Sequence, residues 1–552
     1  MKIKTEPIFL ILVFGILLFL GFGGLFSRQL VHDFPQGTIA NDAFYKYNRA
    51  HYLIESGNFK YQEWYTAEGR KDTDQDDAPL TYFLTAIYSL NSGIPDFDTY
   101  QFLGILVKIL SVFVMYLIIR KLNKKIALAA IGITGFIFIK NNFISFHYGW
   151  IPITLAGSLI VFVIWILLSS ELEYIWIILG LALAGVMLTH LSEFWYTILI
   201  VGLYFCYLLL INKLNFKILK NPLLALIIFI PTTLYYLPVS LRQFFSLASS
   251  DTGIVLSAFR IPTFPITVLK DFGFFLPLII VGIILSAYYC LKDKEKFKFL
   301  VPILTITAVS FLPLFNFSDR IYQIRFFWPV FFMLFFGFAI YFILNLNFIK
   351  KYLKHYSNEA MVIVSLLLLV LSINYYYAAP NPSSLIVNQD IWNGMQWVQQ
   401  NIPENIEDNS ILVVHGDSYQ QVGTFLMFGR IIYQIKDEDY LAKLNTGQVS
   451  KNYVIRKFIH GYDYFKRTGF FTFEPIKLGK PEWEETRGWE ETDLCSFDYY
   501  VIDKPSRFPQ VTAYNLKIRE TLLKNNNFEE VFSNSWYSIL KNNNPGADCL
   551  GE

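Results

Sequence analysis

Long apolar runs divide most of the chain into segments of membrane-spanning length. The first run extends from Ile8 to Phe26, and eleven more follow it, near residues 79–93, 101–119, 126–139, 151–169, 174–190, 192–211, 222–238, 272–291, 299–316, 326–345 and 361–378. A helix needs about 20 apolar residues to cross a bilayer, and most of the runs are close to this length. The pattern predicts a polytopic α-helical membrane protein with about 11–12 helices. No small-x-small cleavage site follows the first run, which favours an uncleaved first helix over a signal peptide.

Lysines between the runs predict which loops face the cytoplasm. They collect in four clusters, at 121–125, 213–220, 292–298 and 350–354. Positively charged loops stay cytoplasmic. Counted from a cytoplasmic N-terminus, all four clusters lie inside only if the short run 79–93 does not cross on its own, which favours eleven crossings. The same count places outside residues 27–78, 140–150, the turn from His190 to Glu193, 239–271, 317–325 and everything after 378. If 79–93 does cross, one later boundary differs.

The polar C-terminal part has a different pattern. From Ala379 onward, strand-length and helix-length segments alternate, which is typical of a small α/β domain. The predicted helices are 392–400, 421–428 and 515–524, and the predicted strands are 411–415, 431–434, 498–502 and two within 528–540, with 436–494 unassigned. We therefore expect a transmembrane domain over 1–378, with an outer catalytic loop at 27–78, and a soluble, extracytoplasmic α/β domain over 379–552.

Composition excludes two classes of protein. Hydrophobic residues make up 54% of the 552 residues and charged residues only 16%, against about a quarter charged in soluble proteins. A soluble globular enzyme is therefore excluded. The net charge is +2, and no basic stripe indicates nucleic acid as a partner. Cys495 and Cys549 fall in the polar part, where one bridge between them is possible if that part is extracytoplasmic.

The first outer loop carries the most informative segment. Residues 41–57 have helical apolar spacing, begin with Asn41 and Asp42, and end at Gly57, which predicts an amphipathic helix at the membrane surface. From spacing alone, Asp42 is a helix cap, because Asp is favoured at that position.

The same segment resembles a family signature. The order Asp42, Phe44, Tyr45 and Gly57 resembles the Asp-Pro-Tyr-Tyr-x-Tyr-Arg…Gly motif in the first external loop of the oligosaccharyltransferase catalytic subunit, a member of the GT-C superfamily of membrane glycosyltransferases. The resemblance covers roughly residues 1–378 and implies a GT-C like fold, with the family's catalytic Asp on Asp42 and a substrate-binding aromatic on Tyr45. Ala43 replaces the family's Pro, and Asn48 stands at its Arg position.

A second acidic cluster closes the loop. It consists of Asp72, Asp74, Asp76 and Asp77, followed by Pro79, and the start of the next run resembles lipid-linked-sugar transferases of the protein O-mannosyltransferase and aminoarabinose transferase branches. A solvated acidic turn is the simpler interpretation for the first two. For the other two we expect function: Asp77 as a catalytic residue and, with Asp42 and Asp76, a ligand of a divalent cation such as Mg or Mn.

Two further polar groups stand at predicted outer ends of helices. His190 and Glu193 occupy a turn whose Thr-His-Leu sequence resembles archaeal-type members, and ionisable residues at such depth are usually functional. We expect a catalytic role for His190 and substrate binding for Glu193, although a solvated histidine is an equal alternative. Arg320 and Arg325 precede a late run, where arginines bind phosphate oxygens or reach lipid headgroups.

Two motifs of the family are absent. Residues 140–150 contain no Asp-x-Asp, and the C-terminal part contains no Trp-Trp-Asp-Tyr-Gly. The resemblance therefore implies a glycosyltransferase of the cell membrane that transfers a sugar from a polyprenyl-phosphate-linked donor to a glycan, lipid or protein acceptor at the extracytoplasmic face, by inverting single displacement with Asp42 as the base.

Three alternatives remain open. The first is an oligosaccharyltransferase that moves a whole glycan to protein, which the two absent motifs disfavour. The second is a transporter or flippase of lipid-linked glycans, disfavoured because the ionisable residues gather at one face. The third is a non-catalytic scaffold that has lost its metal site.

Overall fold

The structure is a computed structural model that describes most of the chain. The described residues are 5–25, 30–35, 42–61, 72–74, 77–138, 151–169, 172–214, 216–242, 269–294, 297–312, 327–347, 349, 357–376, 387–403, 409–414, 430–458, 464–476, 488–505 and 508–550. The chain divides into two compact units. Unit 1 comprises Met1–Gln29, Asp77–Thr81 and Tyr100–Asn381, and unit 2 comprises Leu30–Asp76, Tyr82–Thr99 and Pro382–Glu552.

Helices account for most of the described part of the chain up to residue 376. They are α1 (Thr5–Leu25), α2 (Asp42–Ser56), α3 (Leu80–Ser92), α4 (Asp96–Leu122), α5 (Lys124–Ala130), α6 (Ile151–Leu167), α7 (Ile175–Met187), α8 (Leu191–Leu210), α9 (Phe216–Thr233), α10 (Leu276–Lys292), α11 (Val301–Ser310), α12 (Trp328–Phe331), α13 (Met333–Leu344) and α14 (Ser357–Tyr376). A 3-10 helix, Ile131–Phe138, continues α5. Each predicted apolar run contains at least one of these helices.

Several helices have the length and the apolar composition that a membrane-spanning helix needs. Within the described residues, three are long and apolar enough to cross one: Asp96–Leu122, Leu191–Leu210 and Gly273–Lys292. In the other apolar helices, the apolar portion is shorter, with 10–17 residues. Large apolar side chains remain exposed on unit 1, such as Ile11 at 71% and Leu210 at 81%, and lipid contact removes the cost that water would impose on them. The predicted fold class, a helical membrane protein with a C-terminal α/β domain, is confirmed.

An ion-pair cluster fixes the direction of the first helices. Glu6, at the start of α1, lies 2.7 Å from Arg120 Nε and 2.7 Å from Lys124 Nζ, at the junction of α4 and α5. The start of α1 and the end of α4 therefore lie at one end of unit 1, and the two helices run in opposite directions. That run 79–93 does not cross on its own stays a prediction.

Other contacts gather the lysine clusters at the same end. Lys121 Nζ donates to the carbonyl of Leu168, just after α6, at 2.9 Å. Leu168 lines one cavity together with Lys213 and Lys298. Three of the four clusters thus share one end of the bundle, as the positive-inside count requires.

Glycines let the helices of unit 1 approach closely. A Cβ on Gly282 of α10 would overlap the main-chain carbonyl of Phe335 in α13, and one on Gly337 would lie 2.6 Å from the carbonyl of Ile126 in α5. On the other side of the bundle, a Cβ on Gly180 of α7 would lie 2.6 Å from the carbonyl of Ala225 in α9. Small residues at such crossings are a common means of helix association in membranes.

A seven-stranded sheet forms the core of the C-terminal part. Its strands are β1 (Ile411–Val414), β2 (Ile432–Ile435), β3 (Asn452–Lys457), β6 (Glu490–Asp493), β7 (Tyr499–Asp503), β8 (Phe528–Ser533) and β9 (Tyr537–Asn542), while β4 (Tyr464–Arg467) and β5 (Phe473–Ile476) form a separate hairpin. The order is β6-β3-β2-β1-β7-β9-β8. β1 is parallel to β2 and β7, and the other pairs are antiparallel. The helices are α15 (Gln389–Asn401), α16 (Asp437–Thr446) and α17 (Pro509–Leu523).

The predicted α/β pattern agrees with this domain in most elements. The strands predicted at 411–415, 431–434 and 498–502 are β1, β2 and β7, and the last two predicted strands are β8 and β9. The third predicted helix begins at Pro509 rather than at residue 515. The segment 436–494, which the sequence left unassigned, contains α16 and β3 to β6. The helix predicted at 421–428 lies outside the described residues.

A disulfide joins Cys495 to Cys549, across 54 residues of sequence. Both cysteines are buried in the sheet core. The bridge ties the turn before β7 to the segment that follows β9, so the possibility that the sequence left open is realised in the structure.

Replacing Gly282 with Ala should destabilise the bundle, because the new methyl meets main-chain atoms of α13 that cannot turn aside. Overpacking of this kind costs about 1–3 kcal/mol. A thermal melt of purified protein in detergent measures the effect. Gly202→Ala in α8 is the matched control, since nothing lies within 4 Å of its Cβ position. Equal melting temperatures for the two variants would contradict the close approach of α10 and α13.

Removing the disulfide should destabilise the C-terminal domain. A loop of this length is stabilised by about 2–4 kcal/mol when its ends are joined, because the unfolded chain loses freedom. The Cys495→Ser/Cys549→Ser double variant should therefore melt at a lower temperature, and reductant should lower the wild-type melt to the same value. Cys206→Ser, at a free and exposed cysteine, should melt as the wild type does with and without reductant.

Candidate functional site

The predicted outer-loop helix exists with the predicted ends. α2 begins at Asp42 and ends at Ser56. Gly57 follows with a φ of 63°, and its N–H donates to the carbonyl of Leu53 at 3.0 Å. A glycine at this left-handed position is a typical helix stop. The side chains of Asp42 and Tyr45 lie outside the described residues.

One face of α2 packs on α3 within unit 2. Ala50 and Leu53 form a buried cluster with Tyr82 and Ala86 of α3. Phe59, after the helix, stacks on Tyr82 with ring centroids 5.9 Å apart. This part of the apolar face, which the sequence assigned to the membrane surface, is therefore covered by protein.

The polar face of α2 binds the first turn of α4. His51 Nδ1 lies 2.6 Å from Asp96 Oδ2, and its Nε2 lies 3.1 Å from Glu55 Oε1. The buried Tyr47 donates its hydroxyl to Asp96 Oδ1 at 3.0 Å. Two side chains of α2, Tyr47 and His51, thus bind a single carboxylate of α4, and Glu55 binds the far side of the His51 ring.

A second histidine binds the same turn of α4. His32 donates its main-chain N–H to Asp98 Oδ2 at 2.7 Å, and its Nδ1 lies 2.8 Å from Asp98 Oδ1. Both side chains are only 4% exposed. The sequence analysis missed both histidines and both acids. The signal was the Asp96-Phe97-Asp98 spacing directly before a membrane run.

Charge on His51 is favoured by its partners. Burial favours the neutral ring, but the hydrogen bonds to Asp96 and Glu55 outweigh it and raise the pKa of His51 from 6.5 to about 10. The hydrogen bond between His51 and Glu55 also lowers the pKa of Glu55. Both groups are therefore charged at neutral pH, and both ring nitrogens of His51 act as donors.

Asp72 and Asp74, the first two acids of the second acidic cluster, both contact strand β4. The N–H of Asp74 donates to the carbonyl of Phe465 in β4 at 2.8 Å. Asp72 forms an exposed ion pair with Lys466 at 2.9 Å. The exposed Asp72 agrees with the solvated-turn interpretation, whereas Asp74 is buried and its carboxylate accepts the N–H of Arg467.

Within unit 1, the segment after Asp77 meets the turn that carries His190. The N–H of Leu80 donates to the carbonyl of Leu188 at 2.7 Å. Asp77 lies three residues before this bond and His190 two residues after it. Two of the residues predicted for the site are therefore on segments that touch.

His190 and Glu193 form a polar group at the start of α8. Glu193 Oε2 contacts His190 Nδ1, and Ser192 Oγ lies 3.0 Å from that nitrogen and 3.2 Å from Glu193 Oε2. Glu193 is 2% exposed, whereas the His190 side chain is 27% exposed. Glu193 Oε1 is buried and, within the described part of the chain, has no hydrogen-bond partner.

Other predicted site residues lie outside the described part: Asp76, Arg320 and Arg325. The convergence of these residues with Asp42, Asp77 and His190 at one outer cavity stays a prediction. Within the described residues, no three His, Cys, Asp or Glu side chains are grouped so that they could hold a metal ion.

No family model matches the sequence, and no curated protein matches it. Solved structures do match in fold. The oligosaccharyltransferase of Archaeoglobus fulgidus in its apo form aligns at a TM-score of 0.56 and 12% identity, over 78% of this chain and 64% of that one. The chain thus spans less than two thirds of that protein. The same enzyme with a tethered acceptor peptide aligns at 0.56 and 11% identity, over 95% and 83%.

A second type of enzyme matches over nearly its whole length. ArnT from Cupriavidus metallidurans, bound to undecaprenyl phosphate, aligns at a TM-score of 0.51 and 10% identity, over 98% of this chain and 99% of that one. Likeness at this identity concerns the fold. Both enzymes are GT-C glycosyltransferases, so the resemblance that the first-loop motif indicated is confirmed: the chain has the fold of the GT-C superfamily.

Proposed function

We propose that the protein is a membrane glycosyltransferase that takes a sugar from a polyprenyl-phosphate donor and transfers it to an acceptor hydroxyl. The observation that carries the proposal is the helix that begins at Asp42, in the loop after the first membrane helix of a GT-C fold. In solved structures of this fold, the A. fulgidus enzyme AglB holds a dolichol-phosphate and ArnT holds undecaprenyl phosphate. These ligands support a polyprenyl phosphate as the carrier.

In the proposed reaction, Asp42 acts as the general base. It accepts the proton of the acceptor hydroxyl while the acceptor oxygen attacks the anomeric carbon from the side opposite the phosphate. The bond between that carbon and the phosphate oxygen breaks, and the phosphate leaves with the electron pair. One displacement of this kind inverts the anomeric centre. Arg325 and Arg320 bind the phosphate oxygens and stabilise the charge that develops on them.

The group at the start of α8 is proposed to bind a sugar or acceptor hydroxyl. A buried carboxylate oxygen without a hydrogen bond is costly, and a donor hydroxyl at Glu193 Oε1 removes that cost. His190 holds the other carboxylate oxygen and is itself partly exposed, so it fixes the orientation of Glu193 and reaches the same ligand. Asp77 is proposed to lie near this group, because the N–H of Leu80, three residues later, donates to the carbonyl of Leu188. Tyr45 is proposed to stack on the sugar.

A divalent cation has less support. The A. fulgidus enzyme has been solved with zinc and sulfate. Of the three acids proposed here as ligands, Asp77 has a described side chain, and no metal-binding group of three occurs within the described residues. A bound Mg or Mn ion would stabilise charge on the leaving phosphate, and the steps above do not require it.

The orientation proposed for the chain follows from charge and redox chemistry. Three of the four lysine clusters share one end of unit 1, which we assign to the cytoplasm. A disulfide between Cys495 and Cys549 persists in oxidising compartments. Both observations support a protein of the cell membrane whose membrane domain covers 1–378 and whose domain at 379–552 is extracytoplasmic and guides the acceptor.

Transfer of a whole glycan to asparagine is the second candidate, since the A. fulgidus enzyme of this fold has been solved with an acceptor peptide containing an NVT sequon. Incubation of purified protein with radiolabelled polyprenyl-phosphate sugars, with hydroxyl acceptors or a sequon peptide, separates the two. Label on the peptide alone would favour the second candidate. Retention of all label on the lipid with every acceptor would contradict both.

Replacing Asp42 with Asn distinguishes a role as general base from a role as helix cap. Asn and Asp are near-equal caps, so the helix should be retained at a cost of at most about a few tenths of a kcal/mol. An amide cannot accept a proton at neutral pH, so transfer should fall about 10²–10⁴-fold. Initial rates and a thermal melt measure the two effects. A well-folded variant with a near wild-type rate would show that Asp42 is only a cap.

Replacing Glu193 with Gln should weaken substrate binding. A hydrogen bond to a charged group contributes about 1.5–3 kcal/mol, so KM for the sugar donor or the acceptor should rise about tenfold or more, with α8 intact. Glu173→Gln, at an exposed position between α6 and α7, is the matched control and should keep wild-type kinetics. Unchanged KM values in Glu193→Gln would assign Glu193 a structural role.

A further inference from the structure

Two histidines bracket Asp42 in the sequence, and both bind the same helical turn. His32 precedes Asp42 and binds Asp98, while His51 follows it and binds Asp96. The two acids stand two positions apart in the first turn of α4. The segment that carries the proposed base is therefore attached to α4 on each side.

We propose that His32 and His51 are positioning residues: their bonds to Asp98 and Asp96 hold the Asp42 segment in the arrangement that transfer requires. The inference rests on the proposed function of Asp42 as the base. It assigns to both histidines a role in transfer that acts through the position of α2 and not through contact with substrate.

The geometry makes these bonds suitable for holding a segment in place. His32 donates two hydrogen bonds to one carboxylate, from its main chain and from its ring, which fixes its orientation as well as its distance. Hydrogen bonds to ionised groups are stronger than hydrogen bonds between neutral groups. Where the surrounding protein excludes water, these bonds are stronger still. A base displaced by about 1 Å can lose 10²-fold in rate, so a firm attachment matters for catalysis.

The charges around His51 predict how the attachment depends on pH. It faces Asp96 of α4 and Glu55 of its own helix; Tyr47 shares Asp96, and the Asp98–His32 pair lies next along α4. The pKa of His51 is raised in the folded protein, so its contribution is fully present below about pH 6.5 and is lost as pH rises towards 10. The pKa of Glu55 is lowered, so its contribution is lost only on acidification.

Three variants of the full-length protein test the inference. His51→Gln removes the charge. His51→Arg keeps a cation that cannot lose its proton in this range. Asp72→Asn is the matched control, because it breaks an exposed ion pair of the same unit that lies outside the attachment. For each, hydrogen exchange of the amides of residues 42–56 is measured as protection factors between pH 6.5 and 10, and kcat and KM for the polyprenyl-phosphate sugar are measured at each pH.

The expected results differ for each variant. Protection of α2 should fall with rising pH in the wild type and in Asp72→Asn. It should be low at every pH in His51→Gln and high at every pH in His51→Arg. At pH 7, kcat of His51→Gln should fall at least about tenfold with little change in KM, and His51→Arg should retain most of the wild-type kcat. His32→Gln should lower kcat in the same way.

Two outcomes overturn the inference. If α2 is equally protected in His51→Gln and the wild type, the bonds do not hold the helix. If α2 loses protection in His51→Gln but kcat is unchanged, its position does not matter for transfer. A wild-type protein that transfers no sugar would reject the proposed function, and the role in transfer with it, while the exchange data would still decide whether His51 holds α2.

Discussion

A bilayer interior accepts charge only where protein groups surround it, and this constraint organises the chain. Lysines gather at one end of unit 1, and Glu6 meets Arg120 and Lys124 at that end. Lys108 stands inside α4, where it is fully buried. Its Nζ lies 3.4 Å from the carbonyl of Ile137 and 5.9 Å from the centre of the Phe327 ring, so protein and not lipid surrounds this amine. Chemistry that needs several ionised groups is consequently confined to loops and helix ends.

The two polar arrangements at those ends differ in how they are built. His190 and Glu193 are neighbours on one helical turn, so local geometry brings them together in any structure where α8 forms. The pairs of His51 with Asp96 and of His32 with Asp98 join residues 45 and 66 positions apart. They exist only when the loop has folded onto α4. The first arrangement suits binding of a ligand, because one carboxylate oxygen remains without a partner in the described chain, whereas the second consumes its acids internally.

These differences explain what the sequence could predict. Apolar runs report directly on the solvent around each helix, so the positions of the helices followed from composition alone. α2 followed from its spacing and from Gly57. The pairing of His32 with Asp98 did not, because no local pattern encodes a contact between loop and helix. The sequence did not predict β3 to β6 for a related reason. Tyr453 and Ile455 are buried by neighbouring strands, but charged residues close to them in the sequence obscure the apolar–polar alternation that predicts a strand. The side chain of Asp42 and both arginines lie outside the described residues, so the centre of the proposed site rests on the motif.

The sheet order also constrains how the protein is made. β1 pairs with β2, which follows it closely, and with β7, which follows only after an excursion through α16 and β3 to β6. Until β7 arrives, one edge of a buried, wholly apolar strand lacks its neighbour. During synthesis, the central strand therefore stays open to pairing with other chains until the long stretch between β2 and β7 has been made.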